Sequence, residues 1–321
     1  MKKINVSSLI NVILLIVLVI VVGFGWFYLQ KVNPLTSLTS QMGTSDAPLE
    51  PKYLYTIQGI GKEKLETPNQ VLVNNNKIYV ADSGNDQVVI YDYTGTRLKQ
   101  FSNLEKGKKL GYPYGMAVLN SQLLVADVNL NKIAIFDLDG NFQGYFAKET
   151  NMRPSNIEVS NQNVYVTDVG KQRILKFDLN GKLLIQVGKE GEKPDELYYP
   201  QGLKVVNGKL YVADSNNYRL KVYNADTLKM LEVWDRAKFN NEFTFAVPRG
   251  IAYDGNRLWI SSMLASSVTR FDLQGKRDVV VSSGATPDDK LTVVNGIFID
   301  NYKRLYIADR ALNNIVVYQI Q

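Results

Sequence analysis

Residues 81–92 read ADSGNDQVVIYD, and this stretch decides the fold. It consists of a small residue, an Asp, a polar turn and an apolar run that ends at an aromatic residue. Five further versions of it follow, and the Asp position recurs every 41 to 48 residues. A period of this length is typical of repeat architectures. The Asp position is occupied by Asp82, Asp127, Asp168, Asp214, Ser262 and Asp309.

Each repeat contains four segments in which apolar and polar residues alternate, as they do in β-strands. The periodicity of helices is missing after Lys52. A turn of Pro-x-Gly type opens each repeat, and short turns such as Asp139-Gly140 connect later strands. Six units of four antiparallel strands predict an all-β fold, a six-bladed β-propeller. The last unit has only three strands before Gln321, and residues 53–59 have the character of the missing one. The predicted blades are 67–101, 112–146, 153–188, 199–234, 247–281 and 293–321, the last completed by 53–59.

Two segments of the fourth unit carry a family resemblance. Residues 188–202, GKEGEKPDELYYPQG, and residues 210–223, LYVADSNNYRLKVY, resemble NHL repeats. The resemblance covers essentially residues 53–321 and implies a six-bladed propeller. It implies no single function, because propellers of this type include receptor sensor domains, RNA-binding modules, scaffolds and a few enzymes.

The segment before the repeats predicts a membrane anchor. Residues 9–29 are apolar except for Asn11, and about 20 such residues span the hydrocarbon core of a bilayer. A cleaved signal peptide is the alternative, but the run ends in bulky aromatic residues where the peptidase requires small ones. Lys2 and Lys3 precede the span and Lys31 alone follows it, which favours a cytoplasmic N-terminus, residues 1–8. We therefore expect a single-pass protein of the cell membrane, with a flexible stalk over 30–52 and an extracytoplasmic propeller.

Composition narrows the chemistry that the chain can perform. The sequence contains no Cys and no His, which excludes disulfides, thiolate or imidazole metal sites and catalysis by either side chain. The net charge of +6 is mild and is not concentrated in a basic run, so nucleic acid is not an expected partner. We nominate no catalytic residue, no metal ligand and no cofactor.

The recurrent Asp carboxylates are expected to be structural. A side chain that recurs blade after blade serves the blade, and an Asp at a strand end can accept hydrogen bonds from turn N–H groups. It can also pair with the basic residue that follows five positions later, as Arg173 follows Asp168.

Candidate binding residues lie where the repeats differ. The residue after the opening Pro varies around the ring, and it should lie at one mouth of the central channel. Tyr114 and Arg249 are three blades apart, and they suggest a ligand clamp that uses aromatic stacking and charged hydrogen bonds. The alternative is that these positions are solvated loop residues. The full set of candidates is Asn69, Tyr114, Ser155, Gln201, Arg249 and Asn295.

A second variable position is expected to face the channel. It is occupied by Leu72, Ala117, Glu158, Lys204, Ala252 and Phe298. Glu158 and Lys204 belong to adjacent blades, and we expect a structural ion pair in preference to a catalytic acid and amine. A calcium site built from Glu158 and nearby Asn side chains is opposed by the Lys204 ammonium.

The sequence thus predicts a non-enzymatic binding or scaffold module, with a protein or cell-envelope partner on its loop-rich face. A channel-site hydrolase or lyase of the lactonase type is the alternative. RNA binding is a third possibility, which an extracytoplasmic location opposes.

Overall fold

The computed structural model describes residues 50–321, apart from 149–150, 161, 236–237, 239–244, 283 and 285. Within this part the chain forms six four-stranded antiparallel sheets, which are the blades of a propeller. Blade one contains β2 (Pro68–Asn74), β3 (Lys77–Asp82), β4 (Gln87–Asp92) and β5 (Arg97–Phe101). Blade two contains β6 (Pro113–Leu119), β7 (Gln122–Asp127), β8 (Lys132–Asp137) and β9 (Phe142–Phe146). Blade three contains β10 (Pro154–Ser160), β11 (Asn163–Asp168), β12 (Arg173–Asp178) and β13 (Leu183–Val187).

Blades four to six follow the same plan. Blade four contains β14 (Pro200–Val206), β15 (Lys209–Asp214), β16 (Arg219–Asn224) and β17 (Met230–Trp234). Blade five contains β18 (Pro248–Tyr253), β19 (Leu258–Ser262), β20 (Ser267–Phe271) and β21 (Arg277–Val281). Blade six contains β22 (Val294–Ile299), β23 (Arg304–Asp309), β24 (Asn314–Gln319) and β1 (Lys52–Ile57). Short 3-10 turns lie at Gly61–Glu63, Ser83–Asn85, Glu105–Gly107, Ser215–Asn217 and Pro287–Asp289.

The first strand of the described residues closes the ring. β1 pairs antiparallel with β24, with Lys52 opposite Gln319 and Ile57 opposite Ile315. The strand starts at Lys52, one residue before the start that the sequence predicts, because Lys52 still has a partner on β24. Sheet six therefore joins the two ends of the propeller and has the strand order β1-β24-β23-β22.

The core lies between blades. Each apolar cluster combines the facing side chains of two consecutive blades, as where Tyr79 and Ile90 of blade one pack with Met116 and Phe136 of blade two. The middle strands of a blade have neighbours on both faces, so they are buried on both faces and rich in apolar residues. The hydrophobic effect thus holds the blades against one another in a ring.

The part of the chain before Glu50, with the predicted anchor and most of the predicted stalk, lies outside the described residues. Among residues 50–321, the described segments include no helix long and apolar enough to cross a membrane.

We predict that deleting residues 53–59 from the full chain lowers the free energy of unfolding by several kcal/mol. The deletion removes the ladder on β24 and the buried side chain of Ile57, which is 2% exposed. Urea unfolding followed by tryptophan fluorescence measures the effect. An unchanged unfolding midpoint would show that ring closure does not depend on β1.

Candidate functional site

The channel mouth is built by a bulge at the start of each inner strand. In blade four, Pro200 pairs with Asp214 and Leu203 with Val212, so the register shifts over Gln201 and Gly202. A bulge of this kind bends the strand locally and redirects the residue after Pro. Gly202 is required here, because a Cβ at this position would lie 2.0 Å from the carbonyl oxygen of Arg249 in the next blade. Consecutive blades thus touch backbone to backbone around the mouth.

Most of the six candidate side chains at the mouth are buried. Five of them, Asn69, Tyr114, Ser155, Gln201 and Asn295, are between 0% and 9% exposed. Arg249 is half-buried. The expectation of solvated loop residues therefore does not describe these five positions, because the close approach of the blades encloses them.

The buried candidates bind one another across the blades, in a group that we call the polar belt. Asn295 Nδ2 donates to Asn69 Oδ1 at 2.8 Å and to the hydroxyl of Tyr114 at 3.0 Å. Ser155 Oγ donates to Gln201 Oε1 at 2.9 Å. Buried polar groups need such partners, and these hydrogen bonds supply them across the blade boundaries. The sequence could not show this, because the bonds join residues as far apart as 69 and 295.

The environment of Tyr114 differs from that of a free clamp residue. Its hydroxyl is engaged by Asn295, and burial raises the pKa of its phenol, while the positive charges of Arg249 and Arg310 act in the opposite direction. The Arg249 guanidinium lies 5.6 Å from the ring centre of Tyr199. Its aromatic neighbour in the structure is thus Tyr199 of the adjacent blade.

Arg249 and Arg310 form the part of the mouth with unused hydrogen-bonding capacity. The Nε atom of each is buried and has no hydrogen-bond partner in the described part of the chain. Arg310 donates from Nη2 to the hydroxyl of Tyr112 at 3.1 Å. Neither arginine forms an ion pair with a carboxylate of the described residues, although both charges act on Tyr114. We call Arg249, Arg310, Tyr112 and Tyr199 the arginine mouth.

Sequence reasoning missed Arg310, Tyr112 and Tyr199. Two further repeat positions carry a signal for them. The position after the recurrent Asp is occupied by Ser83, Val128, Val169, Ser215, Met263 and Arg310. The position before the opening Pro, or before Val294 in blade six, is occupied by Thr67, Tyr112, Arg153, Tyr199, Val247 and Val293. Arg310 is the only charged residue of the first set.

The recurrent carboxylates organise loops at the same end. Asp168 accepts hydrogen bonds from the backbone N–H of Arg153 at 2.9 Å, from that of Gly170 at 3.0 Å and from Arg173 Nε at 2.7 Å. Its side chain is fully buried. Asp214 makes the equivalent bonds with Tyr198 and Arg219. These carboxylates have no free acceptor directed at a ligand, so their role is to hold the loop before each inner strand.

Below the mouth, the inner strands surround a central cavity of about 170 Å³. Glu158 and Lys204 both line it, and their charged groups lie 2.9 Å apart. Burial raises the pKa of Glu158, although the Lys204 ammonium acts to lower it. The remaining lining is mostly apolar, with Leu72 and Phe298 among its members. The two opposite charges thus form an ion pair between blades three and four.

Of the oxygen donors considered for calcium, only Asn156 lines the central cavity with Glu158, among the described residues. Asn69 and Asn295 belong to the polar belt, and Asn156 Oδ1 accepts from the N–H of Ile157. Among the described residues, no group of three or more carboxylate, His or Cys side chains could hold a metal ion.

Comparison with known proteins places the fold. A protein family described as 6-bladed beta-propeller matches residues 147–251. The chain is a six-bladed β-propeller. It is similar to a streptogramin B lyase structure, with a TM-score of 0.59, 14% identity, and coverage of 83% of this chain and 97% of that one. It is also similar to catalytically inactive virginiamycin B lyase from Staphylococcus aureus with quinupristin, with a TM-score of 0.55, 14% identity and 82% coverage of each chain. No curated protein sequence matches. At this identity the likeness is one of fold.

We predict that Asp168→Ala lowers the free energy of unfolding by about 1–3 kcal/mol, because it leaves buried donors without an acceptor. Asp139→Ala serves as the control, since that carboxylate is 70% exposed and its ion-pair partner among the described residues is Lys77. The control should change the stability by less than about 0.5 kcal/mol. Equal effects of the two substitutions in urea unfolding would contradict a structural role for Asp168.

We predict a pH dependence from Glu158. Because its folded-state pKa is raised, the folded protein binds more protons than the unfolded chain above the ordinary glutamate pKa, so stability falls as the pH rises through that window. Glu158→Gln cannot titrate and should lose less stability over the same range. The difference in unfolding free energy between the two proteins, measured from pH 4 to pH 7 in about half-unit steps, isolates this group. A difference that does not vary with pH would contradict the assignment.

Proposed function

We propose that this propeller is a non-enzymatic binding module of the NHL type that holds an acidic group of a protein or cell-envelope partner at the arginine mouth. The observation that carries the proposal is the pair of guanidiniums with buried, unpartnered Nε atoms. A buried donor without an acceptor costs about 1–3 kcal/mol. A carboxylate at the mouth would supply acceptors for both side chains.

The chemistry of the mouth favours an anionic ligand. Guanidinium groups form short, charge-assisted hydrogen bonds with carboxylates, commonly in a two-pronged geometry. Tyr199 flanks Arg249, and Tyr112 holds Arg310 by its hydroxyl. These contacts orient the two guanidiniums before a ligand arrives, which lowers the entropy lost on binding.

The loops around the mouth offer further contact area. Tyr218 is 44% exposed and Leu264 is 66% exposed, and both lie in loops that follow the recurrent Asp position. Exposed aromatic and aliphatic side chains next to arginine are typical of the central part of protein interfaces. The chain enters the propeller through β1, whose residue Lys52 pairs with Gln319 at the opposite end of blade six.

The proposed setting is the outer face of the cell membrane. It is supported by the apolar run over 9–29 and by the charge distribution around it. In that setting the module would act as a rigid platform, with the mouth and its loops in contact with the partner.

A channel-site lyase or hydrolase is the alternative, and RNA binding is the third. Two neighbours in fold are lyases, and one of them is an inactive variant with a histidine replaced by alanine. This chain has no histidine, and the charged pair in its channel is self-neutralised. We therefore expect no turnover of quinupristin by the purified protein. Turnover detected by mass spectrometry would favour the enzyme.

We predict that the full-length protein captures an acidic partner from detergent-solubilised membranes of its host, and that Arg249→Gln with Arg310→Gln abolishes the capture. Hydrogen bonds to charged groups contribute about 1.5–3 kcal/mol each, so the affinity should fall at least tenfold. Tyr114 is left in place, because it is buried in the polar belt.

The control for this experiment is Lys182→Gln with Lys276→Gln, which removes the same charge from exposed turns at the other end. It should capture the partner as the wild type does. Equal capture by both double variants would refute the arginine mouth as the site, and a nuclease-sensitive partner would favour RNA.

A further inference from the structure

A second pocket lies at the end of the propeller opposite the arginine mouth. It has a volume of about 160 Å³ and lies between blades six and one, where the ring closes. The turn between β2 and β3, the turn after β4 and the turn between β22 and β23 contribute its walls. We call it the seam pocket, and its polar and aromatic lining consists of Asn74, Asn75, Asn76, Asp300, Asn301, Tyr93, Phe298 and Tyr302.

The amide groups of the seam pocket are free. The side chains of Asn74, Asn75, Asn76 and Asn301 form no hydrogen bond with any residue of the described part of the chain. Each amide offers two N–H donors and a carbonyl acceptor. The pocket therefore presents donors and acceptors side by side, as a ligand with several hydroxyl groups requires.

The two tyrosines provide a fixed aromatic wall. Tyr302 is 63% exposed, and its ring meets that of Tyr93 edge to face, with 6.4 Å between the centres. The Arg304 guanidinium lies 4.9 Å from the ring centre of Tyr93 and 5.1 Å from that of Tyr302. Such cation–π contacts hold both rings in place. An exposed ring held in this way can stack on the C–H face of a ligand.

The charged pair nearest the pocket, Asp300 and Arg304, balances itself. The Asp300 carboxylate accepts from Arg304 Nε at 2.7 Å and from the Tyr306 hydroxyl at 3.0 Å, and it also accepts from two backbone N–H groups of its turn. Lys303 Nζ donates to the carbonyl oxygen of Asp254 in blade five. Arg304 Nη2 is buried without a hydrogen-bond partner in the described part of the chain, but Arg304 does not line the pocket and Asp300 balances its charge. The lining therefore carries no unbalanced charge, which favours a neutral ligand.

We propose that the seam pocket binds a neutral saccharide. A sugar ring combines hydroxyl groups, which fit the four free amides, with an apolar face that fits the Tyr302 ring. The pocket has space for one sugar ring, with further units extending into solvent over the exposed turns. This site is independent of the arginine mouth, because the two lie at opposite ends of the blades and share no residue.

Saturation-transfer difference NMR of the full chain in phospholipid nanodiscs tests the proposal, with maltose, cellobiose and N,N′-diacetylchitobiose as probes. We expect saturable transfer to the ring protons of at least one sugar. Tyr302→Ala should reduce that signal at least tenfold, and Asn76→Ala with Asn301→Ala should reduce it as well. Tyr302→Phe should retain most of it, since the stacking face is kept.

Tyr198→Ala is the matched control, because it removes a tyrosine that is 40% exposed at the other end of the propeller. It should leave the sugar signal unchanged. Tyr302 is too exposed to support the core, and an unchanged melting temperature of Tyr302→Ala would verify this. Absence of transfer to all three sugars, or a signal that survives Tyr302→Ala, would overturn the proposal.

Discussion

The structure depends on one constraint, the close approach of consecutive blades at the inner ends of their first strands. At Gly202 and again at Gly296, a side chain would collide with the backbone of the following blade. This contact is possible because a bulge follows the first residue of each inner strand, Pro200 in blade four and Val294 in blade six, and bends the strand there. The apolar clusters between consecutive blades also stabilise this close contact of the blades.

The chemistry of the mouth follows from this constraint. Side chains at the second position of the inner strands are enclosed by their neighbours, so a polar residue there must find a partner across a blade boundary. Asn295, Asn69 and Tyr114 do so with one another. Arg249 and Arg310 retain buried donors that the polar belt does not satisfy. The belt therefore acts as a scaffold, and the arginines are the groups left for recognition.

The sequence predicts the fold well because the repeat is local. The spacing of the recurrent Asp, the opening Pro and the apolar run all lie within one blade, and each blade repeats the same solution. The pairing of residues near 53–59 with the last blade follows from counting strands. The channel position of Glu158 and Lys204 could be read from strand alternation, and the structure places both in the cavity lining, 2.9 Å apart.

The sequence predicts less of the site because its contacts cross the ring. Burial of Asn69 and Gln201 results from the distance between blades, which no local pattern encodes. Tyr112 meets Arg310 although 198 residues separate them, so neither suggests the other in the sequence. The seam pocket likewise combines turns from the first and last blades. Comparing repeats identifies positions that differ, but which of them meet is decided by the closed ring.

The most direct test of the arginine mouth is the NMR signal of the Arg249 and Arg310 Nε–Hε groups in residues 50–321. The signals are followed during titration with a short glutamate-rich peptide, and a glutamine version of the same peptide serves as the control. If the two guanidiniums recognise acidic groups, both resonances shift together and saturably with the glutamate peptide only. Resonances that stay unchanged, or that respond equally to both peptides, would contradict the account.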